Sequence, residues 1–103
     1  MKSVVARGKT YLISKHAWEA IRRIDIDLED VVRILEAPRT TTRHKHKIEY
    51  TGCYMRRYAK QQGEGSALAV KIVVNTRSTL TVKTVHNMGV CEEEEGNGDE
   101  GNV

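Results

Sequence analysis

The apolar period of this chain changes once, and it changes at its only proline, Pro38. Between Ser14 and Pro38 the apolar residues recur every three or four positions, whereas beyond Pro38 they alternate. A period near 3.6 belongs to a helix and a period of two to a half-buried strand. One chain that contains both must set helices against a sheet. Ser14 can cap a first helix carrying Ala17, Ala20, Ile21 and Ile24 as its apolar stripe. Asp27 can cap a second, whose first turn holds Glu29 and Asp30 and whose buried face is Leu28, Val31, Val32 and Leu35. Pro38 disfavours α conformation at Ala37, so the second helix stops there.

Downstream, Thr40 to Tyr50 reads as a half-exposed strand, and Thr51-Gly52 as the hairpin turn after it. Cys53 to Lys60 alternates, with Tyr54, Arg56 and Tyr58 on one face and Met55, Arg57 and Ala59 on the other. Gln61 to Ser66 is a glycine-containing loop. Ala67 to Asn75 is the most apolar strand, and Thr79 to His86 the last. Upstream of Ser14, Tyr11-Leu12-Ile13 reads as an apolar staple before the helix cap. The expected fold class is therefore α+β: two N-terminal helices packed on a four-stranded antiparallel β-sheet whose other face is wet. Residues 1–90 are expected to form one domain, and residues 91–103 a disordered acidic tail.

Charge divides the chain unevenly. The formal net charge is +3, but all 17 Lys and Arg precede Cys91 and six of the 14 acids lie in the last twelve residues. A basic body of this kind suits a polyanion. No run approaches the roughly 20 apolar residues of a membrane helix, and the N-terminus lacks the apolar segment of a secretory signal. A cytoplasmic protein is expected, in which Cys53 and Cys91 are reduced thiols. No nucleotide-binding glycine motif is present.

Four residues have the types needed for metal-independent RNA cleavage, which requires an acid, a base and fixed positive charge at the phosphate. His16 lies in the first turn of the first helix, where the dipole suits a neutral, proton-accepting imidazole. Lys83 and His86 end the last strand, and Arg57 supplies a guanidinium. Arg43, Lys45, Lys47, Tyr54, Arg56, Tyr58 and Lys71 mix cations with aromatic rings, a pairing that grips phosphate and stacks on unpaired bases. His44 and His46 share a strand face, but no spacing completes a zinc ligand set. No metal or other cofactor is expected.

Ser14-Lys15-His16-Ala17, Ile26-Asp27-Leu28-Glu29-Asp30-Val31 and Leu35-Glu36-Ala37-Pro38 resemble the opening signature of the DUF4258 family, and the resemblance spans about residues 12–88. That family is similar to the barnase–EndoU–colicin–RelE group of metal-independent RNase and toxin folds. The resemblance implies a RelE-like arrangement and a toxin-type RNase or RNA-binding role on single-stranded RNA. It carries His16 over. The positions four and eight residues later, arginine in that family, are Ala20 and Ile24 here. A non-catalytic nucleic-acid-binding module and a protein-interaction subunit are the alternatives. RNA is the expected partner, with a cognate antitoxin or a second copy of the chain as further candidates, and no membrane.

Overall fold

The computed structural model describes residues 2–63 and 65–92, and it opens on strands. Strands β1 (Lys2–Ala6) and β2 (Lys9–Ile13) precede helices α1 (Lys15–Ile24) and α2 (Leu28–Glu36). Then come β3 (Thr40–Arg43), β4 (Lys47–Tyr54), the short helix α3 (Arg57–Gln62), β5 (Leu68–Asn75) and β6 (Thr81–Val90). All the strands join one sheet in the order β1-β2-β6-β5-β4-β3. Each neighbouring pair is antiparallel except β2 and β6, which run parallel through Leu12↔Thr81 and Ile13↔Val82. The expectation of two leading helices on a four-stranded antiparallel sheet is therefore corrected to an α+β fold with six strands of mixed direction and three helices.

The first error lies in residues 2–13. Tyr11-Leu12-Ile13 is no staple but part of β2, and Val4, Ala6, Tyr11 and Ile13 face the core. Each strand is five residues long and buries only two of them, a pattern too short for a period to declare itself. Their two-residue turn, Arg7-Gly8, has φ of 56° and 70°. Both values are left-handed, as a primed hairpin turn demands. Arginine rarely adopts that region, and the contacts of its side chain account for it here. Arg7 Nε donates to the Leu35 carbonyl at 2.7 Å and Nη2 to that of Glu36 at 3.4 Å, satisfying the last turn of α2.

The helical pair is as the sequence reads it. Ala17 N–H donates to Ser14 Oγ at 3.0 Å, and α2 ends at Glu36. Asp27 occupies the N-cap position of α2 without a side-chain cap bond. Its carboxylate instead accepts from Arg57 and Lys60, both at 2.9 Å. α1 packs mainly on β6, while α2 lies across β1 and β4. The core fills the space between these helices and one sheet face, with Val31, Ile34 and Leu35 meeting Ile13, Ile72 and Val82. No helix is long and apolar enough to cross a membrane among the described residues.

Three further expectations are corrected between β3 and β6. Thr51-Gly52 lies inside β4, and the β3–β4 loop is His44–His46. Gly52 is required there because a Cβ would stand 2.6 Å from Ile34 Cγ1, inside contact distance of a fully buried side chain. β4 ends at Tyr54, so Arg56 to Lys60 is not strand. Arg57 N–H donates to the Asp25 carbonyl at 2.9 Å and Tyr58 N–H to Asp25 Oδ2 at 3.0 Å, and these bonds start α3. Asp25 is itself the left-handed C-cap of α1. Finally, β6 continues to Val90, past the expected end at His86.

Cys53 and Cys91 are joined by a disulfide, with Cα atoms 5.9 Å apart and a sequence separation of 38. That Cα separation is ordinary for the bond. The expectation of two separate reduced thiols is thereby corrected. The expected disordered tail lies, from residue 93 on, outside the described residues.

Candidate nucleic-acid interface

Among the described residues helices cover only one face of the sheet, and side chains alternate across it. The cross-strand partners on the open face are Thr42↔Glu49, Thr51↔Lys71, Lys71↔His86 and Val73↔Thr84. The strands hold one carboxylate, Glu49, and six cations, Lys2, Lys9, Arg43, Lys47, Lys71 and Lys83. Lys2, Lys9 and Arg43 share the parity of core residues, with Lys2 Nζ 4.6 Å above the Trp18 ring, whereas Lys47 and Lys71 lie on the open face. Most described acids lie in or between α1 and α2, and Asp27 and Asp30 among them are ion-paired. Asp30 takes Arg33 at 3.0 Å and Lys60 at 2.7 Å, and Asp27 takes Arg57 and Lys60. Carboxylates are thus concentrated in the helical layer, and the open face carries Glu49 alone of the strand carboxylates.

The cations concentrate at one end of the sheet. The exposed loop His44-Lys45-His46 projects between Arg43 and Lys47. The β5–β6 turn is fastened to it, for Thr76 N–H donates to the His46 carbonyl at 2.9 Å. Arg77, exposed, therefore adjoins the loop. Asn75 Oδ1 accepts from Arg77 N–H at 2.8 Å and fixes that turn. Glu49 serves both His44, at 3.5 Å, and Lys47, at 3.7 Å. From this end Lys71 and His86, paired across β5 and β6, continue the positive surface along the open face. Threonine hydroxyls from Thr42, Thr51 and Thr84 stand between them.

The structure separates the four residues expected to cleave RNA. His16 is exposed in the first turn of α1, on the helical side. Lys83 is near that end of α1: Ser14 N–H donates to the Val82 carbonyl at 3.1 Å and Ser14 Oγ to that of Lys83 at 3.2 Å. Val85 points into the core beneath the helices, so its neighbour His86 faces the other way, onto the open face. Arg57 is at the opposite end of α1, held to Asp27. It lines a hollow of about 360 Å³ together with Trp18, Arg22, Asp25 and Asp27. Ser14 ties the start of α1, which carries His16, to the backbone of Val82 and Lys83, while Arg57 and His86 are each elsewhere.

The residues expected to hold nucleic acid divide in the same way. Arg43, Lys45, Lys47 and Lys71 belong to the cationic end and open face. Arg56 and the exposed ring of Tyr58 border a different hollow of about 660 Å³, with Asp25, Ser66 and Leu68. Tyr54 is corrected outright as a stacking platform, being only 2% exposed. Its hydroxyl donates to the Ile24 carbonyl at 3.0 Å and accepts from Asn87 Nδ2 at 3.1 Å. Burial raises its pKa above 10.0, opposed by the Asn87 bond. Among the described residues no group of three or more His, Cys, Asp or Glu is placed to hold a metal ion. Arg77 was not legible as part of the site, because only strand order sets the β5–β6 turn beside the β3–β4 loop.

Comparison of the chain with protein-family models, with curated proteins and with solved structures gives no match.

Proposed function

We propose that this protein is a nucleic-acid-binding module that takes single-stranded RNA along the open face of its sheet and over the β3–β4 loop. The observation that carries the reading is the division of charge, with most described carboxylates in the helical layer while Glu49 is the one carboxylate of the strands. Phosphates would be held by Arg43, Lys45, Lys71 and Arg77, with threonine hydroxyls as additional donors. The resemblance of residues 12–88 to a family linked with RNase folds agrees in substrate class. Binding of a labelled oligouridylate, followed by anisotropy at two salt concentrations, tests the proposal. Affinity that is independent of salt would remove it.

A second reading, a toxin-type RNase, rests on one specific observation, the Ser14 bonds that tie the start of α1, two residues before His16, to the backbone of Val82 and Lys83. An imidazole and an ammonium at one seam supply a base and a positive charge, though not the second proton-transfer group. Its test is RNA incubated in EDTA with the wild type and with His16→Ala. Equal products from both would discard His16 as a catalytic residue.

A further inference from the structure

The bond between Cys53 and Cys91 has surroundings unlike those of a core staple. Cys53 is on the open face of β4, opposite Ala69 of β5. Cys91 follows the end of β6, and its N–H donates to the Ala67 carbonyl at 2.9 Å. The bridge therefore passes over β5, where alanine side chains leave room for two sulfurs. Both cysteines are half-buried rather than enclosed, so a small reagent can reach them. A cation is also fixed at the pair. Arg39 Nη1 lies 2.9 Å from Cys53 Sγ and 2.8 Å from Cys91 Sγ. The backbone holds this residue in place, since Arg39 N–H donates to the Thr51 carbonyl at 2.8 Å.

A guanidinium against two sulfurs has a chemical consequence that appears when the bond is reduced. The thiolate is the nucleophilic form of cysteine, and a neighbouring arginine lowers the cost of forming it. Arginine keeps its charge throughout the accessible pH range. Among the described residues Arg33 also approaches the pair: its Nη2 donates to the Cys53 carbonyl at 2.7 Å and is itself held by Asp30 at 3.0 Å, while Glu92 follows Cys91 in sequence. The reduced pair is thus a dithiol with one stabilised thiolate and a second thiol close enough to close the bond.

We propose that Cys53 and Cys91 form a reversible thiol–disulfide exchange site, activated by Arg39, whose substrates are low-molecular-weight disulfides and their thiols. In the oxidising direction the thiolate of one cysteine attacks a sulfur of the small disulfide. The S–S bond of that reagent breaks, one half leaves as a thiolate with the electron pair, and a mixed disulfide forms on the protein. The second cysteine then loses its proton to solvent and attacks the protein sulfur of the mixed disulfide. Cys53–Cys91 forms and the other half of the reagent leaves as thiolate. Two electrons pass from the protein to the reagent, which departs as two thiols. The reverse sequence, with two small thiols as reductant, reopens the bond. The proposal stands independently of RNA binding.

The test uses the full chain, reduced and freed of reductant under argon, with the fold checked by circular dichroism. Alkylation by iodoacetamide is followed by mass spectrometry across pH 5 to 10. Wild type is expected to show one thiol whose half-maximal reactivity lies about one pH unit or more below the usual cysteine value of about 8.5. Arg39→Ala is expected to lose that advance, and Arg39→Lys, which keeps the charge, to retain part of it. Oxidised glutathione should convert reduced wild type to Cys53–Cys91 through a transient mixed disulfide. Cys53→Ser or Cys91→Ser should trap the mixed disulfide on the remaining cysteine. An ordinary pH profile in wild type overturns the proposal, as does a profile unmoved in Arg39→Ala. A mixed disulfide that persists in wild type overturns it equally.

Discussion

If RNA lies on the sheet and not on the helices, removing cations from one layer must change salt dependence while removing them from the other must not. Along the path from the β3–β4 loop to Lys71, the cations without an acidic partner among the described residues are Arg43, Lys45, Lys71 and Arg77. Lys47 is set aside because it is committed to Glu49. With four phosphates neutralised, the slope of log K against log salt for a single strand is about −2.8, at roughly −0.7 per phosphate contact. Affinity should then fall about 50-fold between 50 and 200 mM salt. The double variant K45A/R77A leaves two contacts, a slope of about −1.4 and a fall of only about sevenfold. The control is R22A/R23A, which removes the same charge from the exposed side of α1. Its slope should match wild type. The assay is fluorescence anisotropy of a labelled oligouridylate, with thermal melts to confirm that every variant is folded. Equal slopes in the two double variants would refute the reasoning, since net charge alone would then explain binding.

Three predictions concern the scaffold. Gly52→Ala drives a methyl into Ile34 and should cost about 1–3 kcal/mol in urea unfolding. On an Ile34→Ala background the same change should cost little, and strict additivity in that cycle would dismiss the contact. Tyr54→Phe leaves the Ile24 carbonyl without its donor and should cost about 1–2 kcal/mol; an unchanged urea midpoint would count against that bond. The Lys60 ammonium, bonded to Asp30 and then to Asp27, has its pKa raised above 10.5. Its stabilising effect is full below that pH and is lost as pH rises through the higher folded value. The unfolding free-energy difference between wild type and Lys60→Gln should accordingly shrink from pH 8 to pH 11.5. Lys60 is 39% exposed, which limits the difference to about 1 kcal/mol at its largest. A difference that grows with pH contradicts the assignment.

The parts of the fold legible in the sequence are those fixed by neighbours in the chain. Ser14 caps α1, Pro38 marks where α2 has ended, and the alternating residues of β5 point where their parity says. The parts that were not legible depend on residues far apart. Asp25 starts α3 from 33 positions away, overriding the alternation that makes Tyr54 to Ala59 look like a strand. Ile34 decides that Gly52 is a point of close approach and not a turn. Arg7 is held in a left-handed turn by the carbonyls of α2. The cysteines lack any sequence spacing that would suggest a pair, yet sheet order places them on either side of β5. For the site, the sequence announced cations at Arg43, Lys45, Lys47 and Lys71. It could not announce that Tyr54 is enclosed, or that Arg56 and Tyr58 belong with the helices.

The same division bears on chemistry. Cleavage of a phosphodiester without metal needs its acid and base within hydrogen-bond reach of one phosphate. A layered fold decides that reach by parity, because adjacent strand residues point to opposite sides and packed layers lie about 10 Å apart. Val85 is committed to the core beneath α1, so His86 must project from the other side of the sheet. His16, on α1, remains above it. No side-chain rotation carries one ring past the sheet to the other. A binding surface has no such requirement, for each phosphate contact acts separately and needs only that the cations share a face. Lys71 on the open face and Lys45 and Arg77 in the adjoining loops need meet only that weaker condition, whereas the two histidines do not satisfy the stronger one.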